Sequence, residues 1–246
     1  MNNDDSCQQK HNLVQRDYYE SRTQQQNWRV QPGNSNYIVS HVRRVLDSNL
    51  LLKGDKVLDV GCGMGKFTIP LRCEGVDIEG FDLSPYLLEK LVSACPEAID
   101  IATHCGDILT PPASLHGQFD AMTGFFMLHH LIDIKSAFIG MKQVLKPEGR
   151  LLFVDVNPFC PFYYLQISLS PSMRWKAEKG ILNLTDAKLT AALTAAGFQD
   201  IAIDNYGILP PPLKNLQAGN WFEKQFDRIG ILKPVAAFKF ISAKAT

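Results

Sequence analysis

No two cysteines in the sequence form a CxxC pair, and the six that exist (Cys7, Cys62, Cys73, Cys95, Cys105 and Cys160) have spacings that fit no zinc site. At 246 residues the chain is also too long to need a disulfide framework in place of a core. Charge of one sign is missing. Twenty-five Lys and Arg balance 25 Asp and Glu, and no basic stripe is visible, which argues against a nucleic-acid partner. No apolar run reaches the roughly 18–20 residues that cross a bilayer. The opening residues MNNDDSCQQK are polar and acidic, not basic and then apolar, so a cytoplasmic setting without a signal is expected. Internal repeats and Gly/Ser linkers are absent as well. What remains is 46% hydrophobic, enough to bury one large α/β core.

Residues 1–36 are polar and rich in Gln and Asn, with Tyr18, Tyr19 and Trp28 among them. This segment is expected to be partly disordered or a lid, and 37–246 a single domain. From Asn36 to Leu52, Ile38, Val39, Val42, Val45 and Leu46 recur at helical spacing. Strands are predicted at Lys56–Val60, VDIEGFD (76–82), IDIATHCGD ending at Asp107, QFDAMTG, RLLFVDV, FQDIAIDNY and VAAFKFISAKA. Helices fall between them. One opens with Ser84 as cap and Pro85 at its first position, one covers about Ile134–Leu145, and one reads TDAKLTAALTAAG. Strand and helix alternating over short links predict a doubly wound, mostly parallel sheet. The beat breaks only at 157–180, a stretch full of aromatics and prolines.

In such a sheet, ligands sit at the carboxyl ends of the strands where the strand order reverses. Gly61, Gly63 and Gly65 follow the first strand at alternate positions. The spacing GxGxGK fails the Walker loop, which needs GxxxxGK[ST]. It also fails the dinucleotide loop GxGxxG, because Lys66 stands where the third glycine belongs. Asp59 would repel a pyrophosphate but suits an ammonium. Asp82, at the end of the second strand, can accept from a ribose diol, and Asp107, at the end of the third, from an adenine amine. An ammonium, a ribose and an adenine together describe S-adenosylmethionine. Plainer readings stand beside these: Asp59 as a turn acid, Asp82 as a helix cap, Asp107 as a strand terminator, and Cys62 as a loop residue rather than a nucleophile.

VLDVGCGMGKFTIPL, GFDLSPYLLEKL, CGDIL, FDAMTGFFMLHHL and LKPEGRLLFVD occur in order from Val57 to Asp155. With these motifs the chain resembles the class I S-adenosylmethionine-dependent methyltransferases, of the sort often called the type 11 methyltransferase domain. The resemblance implies an α/β, Rossmann-like sheet of seven strands, the last antiparallel. It implies cofactor contacts from Asp59, Gly61, Cys62 and Gly63 near the methionine part, Asp82 and Leu83 at the ribose, Asp107 and Ile108 at the adenine, and Gly124 and Phe125 at the methyl end.

A sulfonium is already a good methyl donor, so the protein has mainly to align the acceptor and exclude water. A base is needed where the acceptor is an alcohol or phenol. His129 and His130, in MLHHLID after the fourth strand, are the candidate catalytic residues, against the plainer reading of histidines satisfied at a helix start. Some quinone-forming relatives carry ExxEH here and bind a divalent metal. Phe126 and His129 stand where those two acids would be, so no metal is expected. NPFC (157–160) resembles the [DN]PP[YF] of DNA amino-methyltransferases, but it follows the wrong strand and has one proline. Phe159, Phe162, Tyr163, Tyr164 and Trp175 could wall an apolar acceptor pocket, or be core or an oligomer contact. Arg174, Lys176 and Lys179 could attract an anionic group, or be a solvated face. The expected reaction is methyl transfer from S-adenosylmethionine to a small acceptor, partly apolar or lipid-linked, on oxygen before nitrogen or carbon. A protein acceptor, or a non-catalytic module docking a partner through Trp221 and Phe222, are the alternatives.

Overall fold

Apolar runs bounded by turns become the strands of one seven-stranded sheet, and the amphipathic stretches between them become its covering helices. The computed structural model describes residues 12–17, 20–21, 35–169, 179–209, 211–216 and 218–246. The expectations for Tyr18, Tyr19, Trp28, Arg174, Trp175, Lys176 and the Lys179 side chain lie outside the described residues.

Helix α1 (Asn36–Leu46) starts where the Ser35 side chain accepts from the Ile38 N–H. Strand β1 (Lys56–Val60) leads through the glycine loop to α2 (Thr68–Cys73) and β2 (Asp77–Asp82). Ser84 accepts from the Leu87 N–H and Pro85 opens α3 (Pro85–Ala94), which runs to β3 (Thr103–Cys105). Then come β4 (Phe119–Phe125), α4 (Ile134–Val144), capped by Asp133, and β5 (Leu145–Val156). The last elements are α5 (Pro161–Leu169), α6 (Asp186–Ala195), β6 (Phe198–Tyr206), α7 (Pro211–Lys214), α8 (Gly219–Arg228) and β7 (Phe238–Ala245).

The strand order is β3-β2-β1-β4-β5-β7-β6. β1 pairs in parallel with both β2 and β4, and only β7 runs antiparallel, between β5 and β6. The chain winds outward from β1 to β3 and then returns to β4. The order therefore reverses between β1 and β4, and a crevice opens beyond their carboxyl ends. Two apolar layers sandwich the sheet. One, under α4 and α6, contains Phe138, Met141 and Leu189; the other, under α1 and α2, contains Val42, Val45 and Leu71.

Three local expectations change. In α1, Val39 is 43% exposed and His41, at 1%, takes its place on the buried face. β3 shrinks to three residues, as an edge strand with only β2 to hold it. The irregular segment after β5 begins with a helix, α5, that follows two ties made by Asn157. Its side-chain N–H groups donate to the Pro234 carbonyl at 2.9 Å and the Ala236 carbonyl at 2.8 Å. The asparagine of NPFC thus binds the approach to β7 and is structural.

Candidate functional site

The crevice at the reversal is a cavity of about 240 Å³. The loop after β1 forms its floor. Gly61 and Gly63 both have positive φ, 71° and 51°, and both line the cavity. A Cβ placed on Gly63 would meet no atom within 4 Å, so the bare backbone here faces open space that a side chain would fill.

Asp82 lies beside this floor. One carboxylate oxygen accepts from the Gly63 N–H at 2.8 Å and the other from the Ser84 N–H at 2.9 Å. Each oxygen has a second lone pair with which to receive a ligand hydroxyl. Burial raises the pKa of Asp82, against the pull of these backbone bonds. Leu83 and Ile108 supply apolar wall, and Asp107 stands at the far end. Asp107 accepts from the Leu109 N–H at 3.0 Å and from the Asn12 side-chain N–H at 2.5 Å. Helical residues 12–17 thereby cover this end, with Gln15 and Arg16 also on the wall. Glu20 accepts from the Ser84 hydroxyl at 2.5 Å. Asp82, Asp107 and the bare backbone of Gly61 and Gly63 suit an uncharged sugar, a base amine and an ammonium, and Arg16 is the cation on this wall among the described residues.

The opposite end is Phe126, Met127 and His130. Phe126 has φ 55°, a left-handed conformation that bulky residues rarely adopt and that concentrates at functional sites. His130 packs against His129 with ring centroids 3.9 Å apart and the planes tilted by 49°. His129 is buried, and its Nδ1 lies 2.6 Å from Asp155 Oδ1. Asp155, itself fully buried, also accepts from the Leu128 N–H at 2.7 Å and the Val156 N–H at 2.7 Å. It fixes both the turn and the first imidazole.

The predicted residues divide into two groups. Gly61, Gly63, Asp82, Leu83, Asp107, Ile108 and His130 come together on the cavity wall. Asp59, Cys62, Gly124, Phe125 and His129 stand behind it, buried. Asp59 accepts from the Thr68 hydroxyl at 2.6 Å and the Thr123 hydroxyl at 3.1 Å, and burial pushes its carboxyl up to about 6. Cys62 packs with Leu88 and Leu91, and burial raises its thiol well above the usual range, the reverse of a reactive cysteine. A Cβ on Gly124 would sit 2.2 Å from Phe153, so this glycine admits a ring from β5. Phe125 stacks on Phe67 at 4.4 Å. Of the aromatics after β5, Phe159 and Phe162 are exposed, whereas Tyr163 packs against the core. Among the described residues, no group of three His, Cys, Asp or Glu could hold a metal.

The roles of Asp155, Thr68, Thr123 and Asn12 emerge only from the structure, as does the bond from the Ser84 N–H to Asp82. Asp155 stands in the sequence as an acid near the end of an otherwise apolar strand, as Asp59, Asp82 and Asp107 do.

Residues 35–203 match the family model of a methyltransferase domain. A ubiquinone biosynthesis O-methyltransferase of Idiomarina loihiensis is 30% identical over 168 residues, 66% of this chain and 68% of that protein. Others of that name are matched over about half their length. Among solved structures, a methyltransferase of Thermotoga maritima, described as a possible histamine N-methyltransferase, has a TM-score of 0.60 at 17% identity, covering 85% of this chain and 89% of that one. Phosphoethanolamine N-methyltransferase 2 of Haemonchus contortus, solved with S-adenosylmethionine, has a TM-score of 0.59 at 18% identity, covering 84% of this chain and 52% of that one. Among the described residues no helix is long and apolar enough to cross a membrane.

Proposed function

The chain belongs to the class I S-adenosylmethionine-dependent methyltransferases, and from that membership we propose that it methylates a small, partly apolar acceptor on oxygen, with His130 as the base. One observation carries this reading: a single cavity joins Gly61, Gly63, Asp82 and Asp107 at one end to His130 at the other.

Asp82 receives the ribose hydroxyls through the lone pairs its backbone bonds leave. Asp107 receives the adenine amine, in the place that the Asn12 amide fills. Gly61 and Gly63 let the backbone close on the methionine part. Asp59 supports the loop from behind, tying β1 to β4 through Thr123 and to α2 through Thr68. When bound, S-adenosylmethionine supplies an activated methyl group. Phe126 and Met127 keep water from the acceptor, and His130 takes the proton from its hydroxyl as the oxygen attacks. His129 and Asp155 act through His130, as positioning residues. The ubiquinone-pathway relatives, by name O-methyltransferases, support oxygen as the acceptor atom.

Calorimetric titration with S-adenosylmethionine and S-adenosylhomocysteine, with NADH as control, tests the cofactor half. Transfer of a labelled methyl group to matched phenols and amines tests the acceptor half. Preference for amines, or transfer to phenols that is unchanged across pH in His130→Ala, overturns the oxygen and base assignments.

A further inference from the structure

Helical residues 12–17 are turned the wrong way round for a surface helix. Asn12 and Gln15 are buried and line the cavity together with Arg16, whereas Leu13 and Val14 are 51% and 59% exposed. Residues three and four apart share one helix face, and on the outside of a domain the inward face is ordinarily the apolar one. Here the polar face goes in and Leu13 and Val14 stay in water. Their burial therefore contributes little to holding the segment, and its inward side chains are of the kind that can serve a polar ligand.

Two hydrogen bonds bring this part of the chain to the ligand carboxylates. Asn12 donates to Asp107 Oδ2 at 2.5 Å, across 95 positions, while the Leu109 N–H holds the other oxygen at 3.0 Å. Glu20 accepts from the Ser84 hydroxyl at 2.5 Å, and the Ser84 N–H donates to Asp82. The charge of Glu20 adds to burial in raising the Asp82 pKa, so it too lies close to that carboxylate. The Asn12 amide is a chemical copy of the group that Asp107 is proposed to receive. Both are planar, uncharged NH2 groups that donate. Asn12 and Asp107 line the same cavity, so the amide meets Asp107 where a ligand amine would have to meet it. With Oδ1 already fixed by Leu109, both donors need Oδ2.

We propose that Asn12 is an internal rival of the ligand's base amine: adenine takes Asp107 Oδ2 by displacing the Asn12 amide, and with it loosens helical residues 12–17 from that end of the cavity. The inference rests on the proposed place of the adenine amine at Asp107. It makes the net contribution of that amine small in the native protein, because one hydrogen bond to Asp107 is exchanged for another. The contribution becomes large where residue 12 has no amide, because the bond is then gained outright.

S-adenosylhomocysteine, adenosine and purine riboside, which is adenosine without its 6-amine, are titrated into the wild type, Asn12→Ala and Asn12→Leu, with thermal melting to establish that each folds. Asn12→Leu keeps the side-chain volume, so agreement between the two variants isolates the amide. We expect the two nucleosides to bind the wild type within about 3-fold of each other, and both variants to prefer adenosine by about 10-fold or more, with S-adenosylhomocysteine tightened by a similar factor. If Asn12 merely covers the cavity, its loss shifts both nucleosides equally. A preference for adenosine that is the same in all three proteins therefore overturns the proposal, as does weaker binding of S-adenosylhomocysteine in both variants. Adding Asp107→Ala to Asn12→Ala should abolish the preference; a preference that survives there moves the amine away from Asp107 and overturns its proposed place together with the rivalry. Failure of the wild type to bind S-adenosylhomocysteine would sink the methyl-transfer reading separately, and the nucleoside pair would still report on Asn12.

Discussion

On one side of Phe126, the chain offers its ligand carboxylates and bare backbone. Asp82 and Asp107 are each held by backbone N–H groups from residues near them in sequence. On the other side it offers rings. Tyr37 and His41 of α1, Phe67 of the loop after β1, Tyr206 of β6 and Phe238 of β7 come from four separate elements or loops and pack edge to face. The polar side suits a ligand with fixed hydroxyls and amines, because each carboxylate has its direction set by two hydrogen bonds. The aromatic side selects by shape and polarisability; Lys66 faces the rings of Tyr37 and Phe67, and Arg44 those of Tyr206 and Phe240. A transferase needs both: one half that recognises a constant donor, and another that can be altered for each acceptor without disturbing the first.

Substitutions on the two sides should therefore separate. His130→Ala should reduce the transfer rate by about 10²–10⁴-fold, the usual worth of a positioned base, while leaving S-adenosylhomocysteine affinity within a few-fold. Single-turnover rates with calorimetry check this. Asp82→Ala should cost about 10²-fold in affinity for S-adenosylhomocysteine, as expected for lost bonds to a charged acceptor. Asp59 sharpens the contrast through pH. Its folded pKa, about 6, lies above the ordinary 3.8, so its contribution to stability is greatest below pH 4 and is lost as pH rises through 6. The difference is about 3 kcal/mol, and Asp59→Asn should flatten that part of a melting profile taken from pH 4 to 8. On the aromatic side, Tyr206→Phe removes the hydrogen bond to His41 and should destabilise by about 1–3 kcal/mol in denaturant titration, with no change in S-adenosylhomocysteine affinity. An affinity loss in Tyr206→Phe would mean that the two halves are not independent.

The same division governs how much could be read in advance. β1 and β6 have the bounds that the apolar runs imply, and Ser84 caps its helix as its position before Pro85 suggests. That Gly61, Gly63, Asp82, Leu83, Asp107 and Ile108 share one cavity wall was legible because each follows or ends a strand, where chain order alone says what will meet; that Asn12, Gln15 and Arg16 join them was not. The aromatic half was not, because its contacts join distant residues: His41 meets Tyr206 across 165 positions, and the Tyr37 N–H donates to Asn215 across 178. Nothing local predicts such pairs. A histidine between the apolar positions Ile38 and Val42 was the one available sign, since a polar residue on a buried stripe must have a reason to be there. Asp155 is hidden for a different cause: it lies inside the apolar run of β5, and nothing local ties it to His129, 26 positions earlier.

The place of β7 also sets the order in which the two halves can be built. β7 follows β6 in the chain yet lies between β5 and β6. As the chain leaves the ribosome, β1 to β5 can pair with one another in turn. β6 then emerges with no strand to join, and β5 keeps an open edge until Phe238–Ala245 has been made. The carboxylate side can exist as a partial sheet during synthesis. The aromatic side, which needs Tyr206 and Phe238, comes into being in one late step, and during that interval its exposed strands are what a chaperone would have to shield.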